Sequence, residues 1–303
     1  MTTTHIISAI GTPLTEDDSL HIEGLQEQLA LQWRNGITGI LAGGSMGAMQ
    51  LLSDQTYADL VRLSIKLGRG KGEIMVGVGD TSFARTRDRI HLVNRYKPDA
   101  VAVLTPYMWK YSQSELVDYY HAIADESLAP VYLYDLPQLT GLKVEASTVL
   151  AICGHKNIHG IKCSDAAHDT RMLIETLKAR GSNFRVIVAQ PVLLDMLVRH
   201  GVRDHLDGIF ALAPEWASAI VRHAEAGEYD AAAAYQRDLL ELLTLLRSYN
   251  AFAAFSAMMN ARGIPGRFAP RPFHLLSREQ TDMINSSAIM KKLLAGSAYV
   301  SPV

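Results

Sequence analysis

Short apolar segments rich in Val and Ile alternate with longer segments of helical periodicity along most of this chain. Strands that are buried on both faces give continuous apolar runs of this kind, and their alternation with helices is typical of βα units around a parallel sheet. We predict strands at residues 5–10, 39–42, 74–78, 100–104, 131–134, 159–162, 185–189 and 208–211. Units of this size and number predict an α/β fold, the (β/α)8 TIM barrel.

Helical periodicity fills the segments between these strands. The predicted helices include 22–33, 54–67, 113–126, 146–153, 169–179 and 193–200, and several begin at a capping Ser or Asp. From Glu215 onward the pattern is helical throughout, at 217–226, 230–246, 251–261 and 278–295, with a loop rich in Gly and Pro at 263–272. We therefore predict a barrel over residues 1–226, followed by a C-terminal helical subdomain over residues 227–303.

The composition excludes several classes of partner. The chain has 29 basic and 31 acidic residues, and its net charge of -2 gives no field that would attract nucleic acid or an anionic membrane. Cys153 and Cys163 are too few for a disulfide framework, and the spacing of His155, His159 and His168 is too irregular for a metal site. The N-terminus lacks the features of a secretion signal, and no run of about 18 apolar residues is present. These features predict a cytoplasmic protein that binds a small molecule.

Two residues at predicted strand ends suggest covalent chemistry on a carbonyl compound. Functional residues of parallel barrels lie at the carboxyl ends of the strands, and Lys162 ends the sixth strand after an apolar run. Desolvation disfavours the ammonium form, and a neutral amine can attack a carbonyl. Tyr134 ends the fifth strand, where its phenol can move the protons that this attack requires. Taken alone, each residue also fits a structural role, a lysine with its ammonium in solvent and a tyrosine packed against a helix.

A glycine-rich loop follows the second predicted strand at residues 43–47, with the sequence G-G-S-M-G. Glycines allow backbone N–H groups to approach a carboxylate closely, and Ser45 adds a hydroxyl donor. The spacing matches neither the dinucleotide pattern G-x-G-x-x-G nor the Walker A phosphate loop. The loop is therefore interpreted as a binding site for the carboxylate of a 2-oxo acid.

Three motifs resemble those of the N-acetylneuraminate lyase and dihydrodipicolinate synthase family. Residues 44–48 read G-S-M-G-A against the family pattern G-[ST]-T-G-E, residues 134–137 read Y-D-L-P against Y-N-x-P, and residues 160–162 read G-I-K against G-x-K. Further matches at residues 11–14, 105–107, 140–141 and 271–272 extend the resemblance in order over nearly the whole chain.

This resemblance implies a barrel with three C-terminal helices, commonly a homotetramer, that condenses or cleaves pyruvate. Lys162 would form a Schiff base with the 2-oxo acid, so that no cofactor is needed, and Tyr134 would move the protons. Ser45 and the amide of Met46, which follow Gly44, would hold the carboxylate of the 2-oxo acid. The expected partners are a 2-oxo acid, an aldehyde and further copies of the chain in a homotetramer or dimer.

Several positions depart from the synthase branch of the family. Met46 and Ala48 replace a hydroxyl residue and a glutamate. A second tyrosine of that branch joins the proton relay from a neighbouring subunit, but Met108 has its place here, so that either Tyr107 substitutes or the relay is shorter. The branch also carries an arginine after the proline of the tyrosine motif, and residues 137–141 contain none. Dihydrodipicolinate synthesis is therefore disfavoured.

The departures also disfavour a sialic acid. The segment that grips sugar hydroxyls in the lyase branch reads A-Q-P-V at residues 189–192, and Leu212 lies near an expected serine. Each buried hydroxyl without a partner would cost about 1–3 kcal/mol. The complete set of predicted substrate-binding residues is Gly44, Ser45, Met46, Tyr107, Met108, Leu139, Gln190 and Leu212.

Our first hypothesis is a lyase or aldolase that joins pyruvate to, or releases it from, an aldehyde less hydroxylated than sialic acid. An alternative with the same Schiff-base mechanism is a dehydratase of a 2-oxo-3-deoxy sugar acid or a hydratase-aldolase. A third hypothesis, of another class, is a non-catalytic barrel that binds a 2-oxo acid, because fold alone does not establish activity.

Overall fold

Eight parallel strands form a closed barrel in the computed structural model, which describes residues 4–297. Each strand pairs with the next along the chain, and the eighth closes on the first. The strands are β1 (His5–Ala9), β2 (Gly39–Ala42), β3 (Glu73–Gly77), β4 (Ala100–Leu104), β5 (Val131–Asp135), β6 (Ile158–Cys163), β7 (Arg185–Val188) and β8 (Asp204–Asp207). The predicted TIM barrel is confirmed.

Helices surround the barrel and continue beyond it. In the first half of the chain they are α1 (Ile22–Arg34), α2 (Asp54–Gly68), α3 (Phe83–Asn94), α4 (Gln113–Glu126), α5 (Pro137–Thr140) and α6 (Ala146–Ile152). In the second half they are α7 (Ala167–Ala179), α8 (Leu194–Arg199), α9 (Ile209–Leu212), α10 (Pro214–Glu225), α11 (Tyr229–Arg247), α12 (Ala251–Ala261), α13 (Arg278–Ser286) and α14 (Ala288–Ser297). The predicted helical segment after the barrel is confirmed.

The predicted eighth strand at 208–211 is wrong. The strand lies earlier, at the polar segment Asp204–Asp207, and the apolar run after it forms the short buried helix α9. The charged end of β8 is tolerated because Arg185 Nε lies 2.6 Å from Asp204 Oδ1. A short apolar run buried on all sides has no periodicity that separates strand from helix.

Helix α3 carries three arginines (Arg85, Arg87 and Arg89), which dilute its apolar face. One helix prediction also needs correction. The predicted helix 278–295 is two helices, α13 and α14, separated at Ser287, whose backbone is extended. The Ser287 hydroxyl donates to Ile284 O at 2.7 Å and accepts from Met290 N at 3.3 Å, so that it stabilises both helix ends.

The fold places one end of the barrel under the C-terminal helices. Apolar side chains of the strands, among them Ile7, Leu41 and Leu206, fill the barrel interior. Helix α10 packs against α11, and the predicted boundary at residues 226–227 lies in the turn between them. The division into two units stays a prediction. Helices α11 and α12 contribute residues to the cleft that opens at the carboxyl ends of the strands.

Candidate active site

Lys162 and Tyr134 are neighbours at the carboxyl ends of two adjacent strands. They are paired in register across β5 and β6, and each is only 4% exposed. Lys162 Nζ lies 4.0 Å from the centroid of the Tyr134 ring. An amine over an aromatic face gains a cation–π contact when it is protonated. The pair therefore keeps a nucleophilic group and a phenol together in a largely dry environment.

The Tyr134 hydroxyl is hydrogen-bonded to Ser45 Oγ at 2.8 Å, and either oxygen can be the donor. The loop that carries Ser45 begins at Gly43, whose φ of 67° lies in the left-handed region that glycine adopts without strain. Thr12 Oγ1 donates to Gly47 O at 2.6 Å and fixes the other end of the loop. The loop after β2 thus brings the Ser45 hydroxyl to the Tyr134 phenol, although the two residues are far apart in the sequence.

The loop also presents free backbone donors. Within residues 4–297, the amide groups of Ser45 and Met46 donate no hydrogen bond. The Met46 side chain lies against the backbone of Gly208, where a Cβ would come within 3.1 Å of Met46 Cγ. Amide donors beside a hydroxyl form an arrangement that can bind a carboxylate.

Ser164 belongs to the site although the sequence analysis did not identify it. Lys162 Nζ donates to Ser164 Oγ at 2.7 Å, and both side chains line the cleft. The signal in the sequence was a hydroxyl residue two positions after the lysine, beyond the end of β6. The lysine nitrogen therefore contacts a hydroxyl on one side and an aromatic ring on the other.

An ion cluster lies next to the carboxyl ends of β5 and β6. Lys143 forms salt bridges with Asp135, which is fully buried, and with Asp165 at 3.0 Å. Burial raises the pKa of Asp135, against the opposing effect of Lys143. Burial alone would lower the pKa of Lys143, but the two carboxylates outweigh it and raise the pKa. The Lys143 ammonium is therefore already neutralised by protein carboxylates.

The cleft above these residues has a volume of about 1060 Å³. Ligand pockets commonly measure roughly 300–1,000 Å³, so the space exceeds the need of a three-carbon 2-oxo acid. Its outer wall is mainly apolar and comes from α11 and α12, through Leu243, Leu246, Ala251, Phe252 and Phe255. The cleft therefore has a polar end at the strands and an apolar wall at the helices.

Asp207 and Arg247 are two further cleft residues that the sequence analysis missed. Asp207 ends β8, and its Oδ1 accepts from Ile209 N at 3.0 Å. Burial raises the pKa of Asp207, and the positive charges of Lys162 and Arg247 oppose this effect. Arg247 lies in the last turn of α11. Both were missed because the eighth strand was placed too late and the C-terminal helices were not expected to line the site.

The structure brings most of the predicted site residues together. Ser45, Met46, Tyr134, Leu139, Lys162 and Gln190 all line the cleft. Gln190 Nε2 donates to the backbone carbonyl of Asp165, which holds its side chain at the rim.

Four predicted binding residues do not line the cleft in this chain: Gly44, Tyr107, Met108 and Leu212. Leu212 is 0% exposed in the core, because it belongs to α9 rather than to a strand end. Met108 is 82% exposed on the surface, with φ in the left-handed region. Gly44 packs its backbone against Leu41.

Tyr107 lies against a different group. Its hydroxyl is 3.4 Å from Asp80 Oδ1, and burial, together with the charge of Asp80, raises the pKa of Tyr107 to about 12. Arg85 and Arg89 each lie 3.0 Å from Asp80. Burial raises the pKa of Asp80, but the two arginines and the Thr81 amide outweigh burial, so that the pKa is lowered. Tyr107 therefore takes part in an ion cluster beside the site rather than in the hydrogen bond of Tyr134.

Among residues 4–297, no helix is long and apolar enough to cross a membrane. Residues 4–297 also contain no group of three or more His, Cys, Asp or Glu side chains placed to hold a metal ion.

Comparison with known proteins gives the same family throughout. The model of the dihydrodipicolinate synthetase family matches residues 2–291. The 4-hydroxy-tetrahydrodipicolinate synthase of Stenotrophomonas maltophilia is 29% identical over 212 residues, which are 70% of this chain and 69% of that protein.

Solved structures share the fold over their whole length. YagE, a prophage protein of the dihydrodipicolinic acid synthase family from E. coli K12, was solved with pyruvate; it has a TM-score of 0.88 at 23% identity and covers 97% of this chain and 99% of its own. A protein described as the first monomeric dihydrodipicolinate synthase variant has a TM-score of 0.86 at 22% identity, with 98% and 97% covered.

Enzymes of this family use a lysine Schiff base with pyruvate and no cofactor. The match of the family model over almost the complete chain, and the closed eight-stranded barrel, agree on one assignment. The chain belongs to the dihydrodipicolinate synthetase family and is a lyase of the class I aldolase kind.

Proposed function

We propose that this enzyme joins pyruvate, or a related 2-oxo acid, to an aldehyde less hydroxylated than sialic acid, or catalyses the reverse cleavage, through a Schiff base on Lys162. The observation that carries the proposal is the contact of Lys162 Nζ with the Tyr134 ring at 4.0 Å, together with the Tyr134–Ser45 hydrogen bond of 2.8 Å. Lys162, Tyr134 and the amide and hydroxyl groups that can bind a carboxylate thus lie at the same end of the cleft.

In the proposed reaction, Lys162 Nζ attacks C2 of the 2-oxo acid and forms a carbinolamine. Tyr134 donates a proton to the leaving hydroxyl, and loss of water gives an iminium ion. The iminium acidifies the protons on C3, and the Tyr134 phenolate removes one of them to give an enamine that attacks the aldehyde carbon. Tyr134 returns this proton to the aldehyde oxygen. Water then adds to the iminium and gives a proton back to Tyr134, and collapse of the carbinolamine releases the product and the free amine of Lys162.

Ser45 has two tasks in this proposal. Its hydroxyl contacts the Tyr134 hydroxyl and can pass a proton to or from it. The amides of Ser45 and Met46 are free to hold the substrate carboxylate, which orients C2 toward the lysine. Ser164 receives a hydrogen bond from the same nitrogen and holds it in the cleft.

The apolar wall of α11 and α12 supports an acceptor with few hydroxyl groups. Leu243, Leu246, Phe252 and Phe255 offer no hydrogen bonds, and Met46 adds an apolar surface beside the nucleophile. A polyhydroxylated acceptor would leave hydroxyls unpaired against this wall, at about 1–3 kcal/mol for each buried group.

Three other reactions are candidates. The curated relatives are named 4-hydroxy-tetrahydrodipicolinate synthases, which favours that activity, whereas the lack of an arginine in residues 137–141 disfavours it. Dehydration of a 2-oxo-3-deoxy sugar acid, or a hydratase-aldolase reaction, would use the same lysine and the same iminium. The apolar wall favours the aldolase of a poorly hydroxylated aldehyde over the sugar acid dehydratase.

A panel of aldehydes with pyruvate distinguishes these reactions. We expect consumption of pyruvate with simple or apolar aldehydes, and at least tenfold lower kcat/KM with N-acetylmannosamine. The control is the Lys162→Ala variant with the same panel. Preference for N-acetylmannosamine, or turnover of 2-oxo-3-deoxy sugar acids without any aldehyde addition, would contradict the proposal.

We also propose that the enzyme acts in the cytoplasm as a homotetramer or dimer. The support is the loop after β4, where Met108 and Trp109 are 82% and 78% exposed, since exposed apolar side chains that lie together commonly mark an interface. Light scattering during gel filtration tests the assembly. A monomer over the working concentration range would contradict it.

A further inference from the structure

The loop after β1, at residues 10–14, lies against the glycine-rich loop at residues 43–47. Thr12 is 3% exposed, and its Oγ1 donates to Gly47 O at 2.6 Å. The two loops are also packed closely, since a Cβ on Gly47 would come within 3.1 Å of Ile10 O. The Thr12 hydroxyl therefore joins the loop after β1 to the loop that carries the proposed carboxylate donors.

A buried glutamine of α1 holds the residue before Thr12. Gln28 is 0% exposed; its Oε1 accepts from Gly11 N at 3.0 Å, and its Nε2 donates to Gly11 O at 2.9 Å. One side-chain amide thus pairs with both backbone groups of Gly11. A buried donor or acceptor that loses its partner is costly, so the amide and this backbone hold each other in place.

The C-terminal segment also contacts the loop after β1. Leu14 N donates to Arg267 O at 2.7 Å, and Arg267 N donates to Leu14 O at 2.8 Å. Gly11 packs against two aromatic rings, because a Cβ there would lie 2.6 Å from Phe268 Cδ1 and 2.8 Å from Phe255 Cε1. Close packing of this kind leaves the loop after β1 little room to move. It therefore gives the glycine-rich loop a fixed support.

The glycine-rich loop needs such a support because of its backbone conformation. Ala48, directly after the loop, has a φ of 51°, in the left-handed region that residues other than glycine rarely adopt. Its N–H donates to Ser45 O at 3.1 Å in the same turn. A conformation of this kind persists only where the surrounding structure fixes it. The arrangement of the Ser45 and Met46 amides therefore depends on the contacts that hold the loop.

We propose that Gln28 and Thr12 are positioning residues for binding of the 2-oxo acid. Gln28 fixes Gly11, Thr12 fixes Gly47, and the glycine-rich loop is thereby held where its amides bind the substrate carboxylate. Within residues 4–297, neither side chain lines the cleft, so both act through the loop. The inference rests on the proposed function, because it concerns the acid whose C2 is attacked by Lys162.

The test compares pyruvate with methyl pyruvate, which keeps the ketone but lacks the negative charge. The second-order rate constant of adduct formation is measured for each compound by borohydride trapping and intact mass, and the pyruvate-to-ester ratio is calculated. The intrinsic reactivities of the two ketones cancel when the ratio of a variant is compared with that of the wild type. Thr12→Val keeps the shape of threonine without its hydroxyl, and we expect it to lower the ratio about fivefold to tenfold.

Two further variants show whether the hydrogen bonds are responsible. Thr12→Ser keeps the hydroxyl, and its ratio is expected to stay within about twofold of wild type. Gln28→Met has a similar volume but cannot pair with Gly11, and it is expected to lower the ratio as Thr12→Val does. The combination of Gln28→Met with Thr12→Val should be close to either substitution alone, because both act through one loop.

Thr38→Val is the matched control. Thr38 Oγ1 donates to Ile6 O at 3.0 Å and accepts from Ile6 N at 2.9 Å, so that it also joins β1 to the start of β2. These contacts lie at the amino ends of the strands, away from the cleft. The substitution is expected to lower the Tm and to leave the pyruvate-to-ester ratio unchanged.

Trapping of pyruvate on the wild type separates this inference from the proposed function. Absence of an adduct on the wild type refutes the Schiff base itself. With an adduct present, an unchanged ratio in Thr12→Val and Gln28→Met refutes the positioning role, and so does an equal fall in Thr38→Val. Thermal unfolding shows which variants are folded, and Gln28→Met decides when Thr12→Val is not. Loss of folding in both also refutes the role, because the two residues would then be required for the fold.

Discussion

Removal of the Tyr134 hydroxyl tests whether the phenol moves protons for Lys162. Phenylalanine at this position keeps the aromatic ring, which lies 4.0 Å from Lys162 Nζ, and deletes only the oxygen that bonds to Ser45 Oγ at 2.8 Å. A positioned general acid and base contributes about 100–10,000-fold to a rate. We therefore expect Tyr134→Phe to slow formation of the pyruvate adduct by about 100-fold or more.

Substitution of Ser45, the hydrogen-bond partner of Tyr134, should slow adduct formation less than removal of the Tyr134 hydroxyl. Ser45→Ala removes the hydrogen-bond partner of the hydroxyl of Tyr134, a residue that is 4% exposed, and an unsatisfied buried group costs about 1–3 kcal/mol. We expect a fall of about tenfold in the same rate. Residues that act as a unit are non-additive, so the double variant should be close to Tyr134→Phe alone.

The assay mixes enzyme and pyruvate, stops the reaction with borohydride at successive times and measures the adduct by intact mass. Tyr132→Phe is the control, because Tyr132 lies on the same strand two residues earlier and its ring contacts Arg185 instead. Its expected rate is within about twofold of wild type. Adduct formation by Tyr134→Phe at the wild-type rate would refute the role of the phenol, and additive effects of the two substitutions would refute the Ser45–Tyr134 unit.

Three further predictions concern ionisable groups near the strand ends. Lys143→Ala should destabilise the fold by about 1–3 kcal/mol in urea unfolding, because it leaves the buried Asp135 carboxylate without its ion-pair partner. Asp135→Asn combined with Lys143→Met should recover most of this loss, and equal stability of Lys143→Ala and wild type would contradict the prediction. Burial lowers the pKa of His205 from 6.5 to about 4, so that the unfolded chain binds a proton before the folded chain does as the pH falls. The free energy of unfolding of the wild type should therefore fall by about 3 kcal/mol over that pH interval, and that of His205→Gln should not show this fall. Burial raises the pKa of Asp207, so the stabilisation from its neutral form is present at low pH and is lost as the pH rises through the raised pKa. Asp207→Asn should therefore have a higher Tm than wild type at neutral pH and lose this advantage in acid. An opposite pH trend would contradict the prediction.

The sequence predicted the barrel because each of the first seven strands is an apolar run between helices. Strand β8 has two aspartates and a histidine, and polar partners outside the strand stabilise it. Arg185 pairs with Asp204 at 2.6 Å, and His205 is buried with its ring nitrogen 3.2 Å from Val202 O. Such partners are not visible in a local hydrophobic pattern, so the pattern favoured the apolar residues that follow.

The nucleophile end of the site was predictable for a related reason. Lys162 and Tyr134 lie one residue before the ends of their strands and Ser45 follows a strand, and the carboxyl ends of barrel strands meet at one face. Arg247 could not be found in this way. It lies on a helix far along the chain, and only the packing of α11 and α12 over the barrel brings it to the cleft.

The most direct test of the account is the site of the covalent adduct with pyruvate. Wild-type enzyme is incubated with pyruvate, reduced with borohydride and digested, and the modified peptide is sequenced by mass spectrometry; Lys162→Arg, which retains the positive charge, is treated in parallel. We predict one adduct, on Lys162 in the wild type, and none in the variant. An adduct on another lysine, an adduct that persists in Lys162→Arg, or no adduct on the wild type would contradict the account.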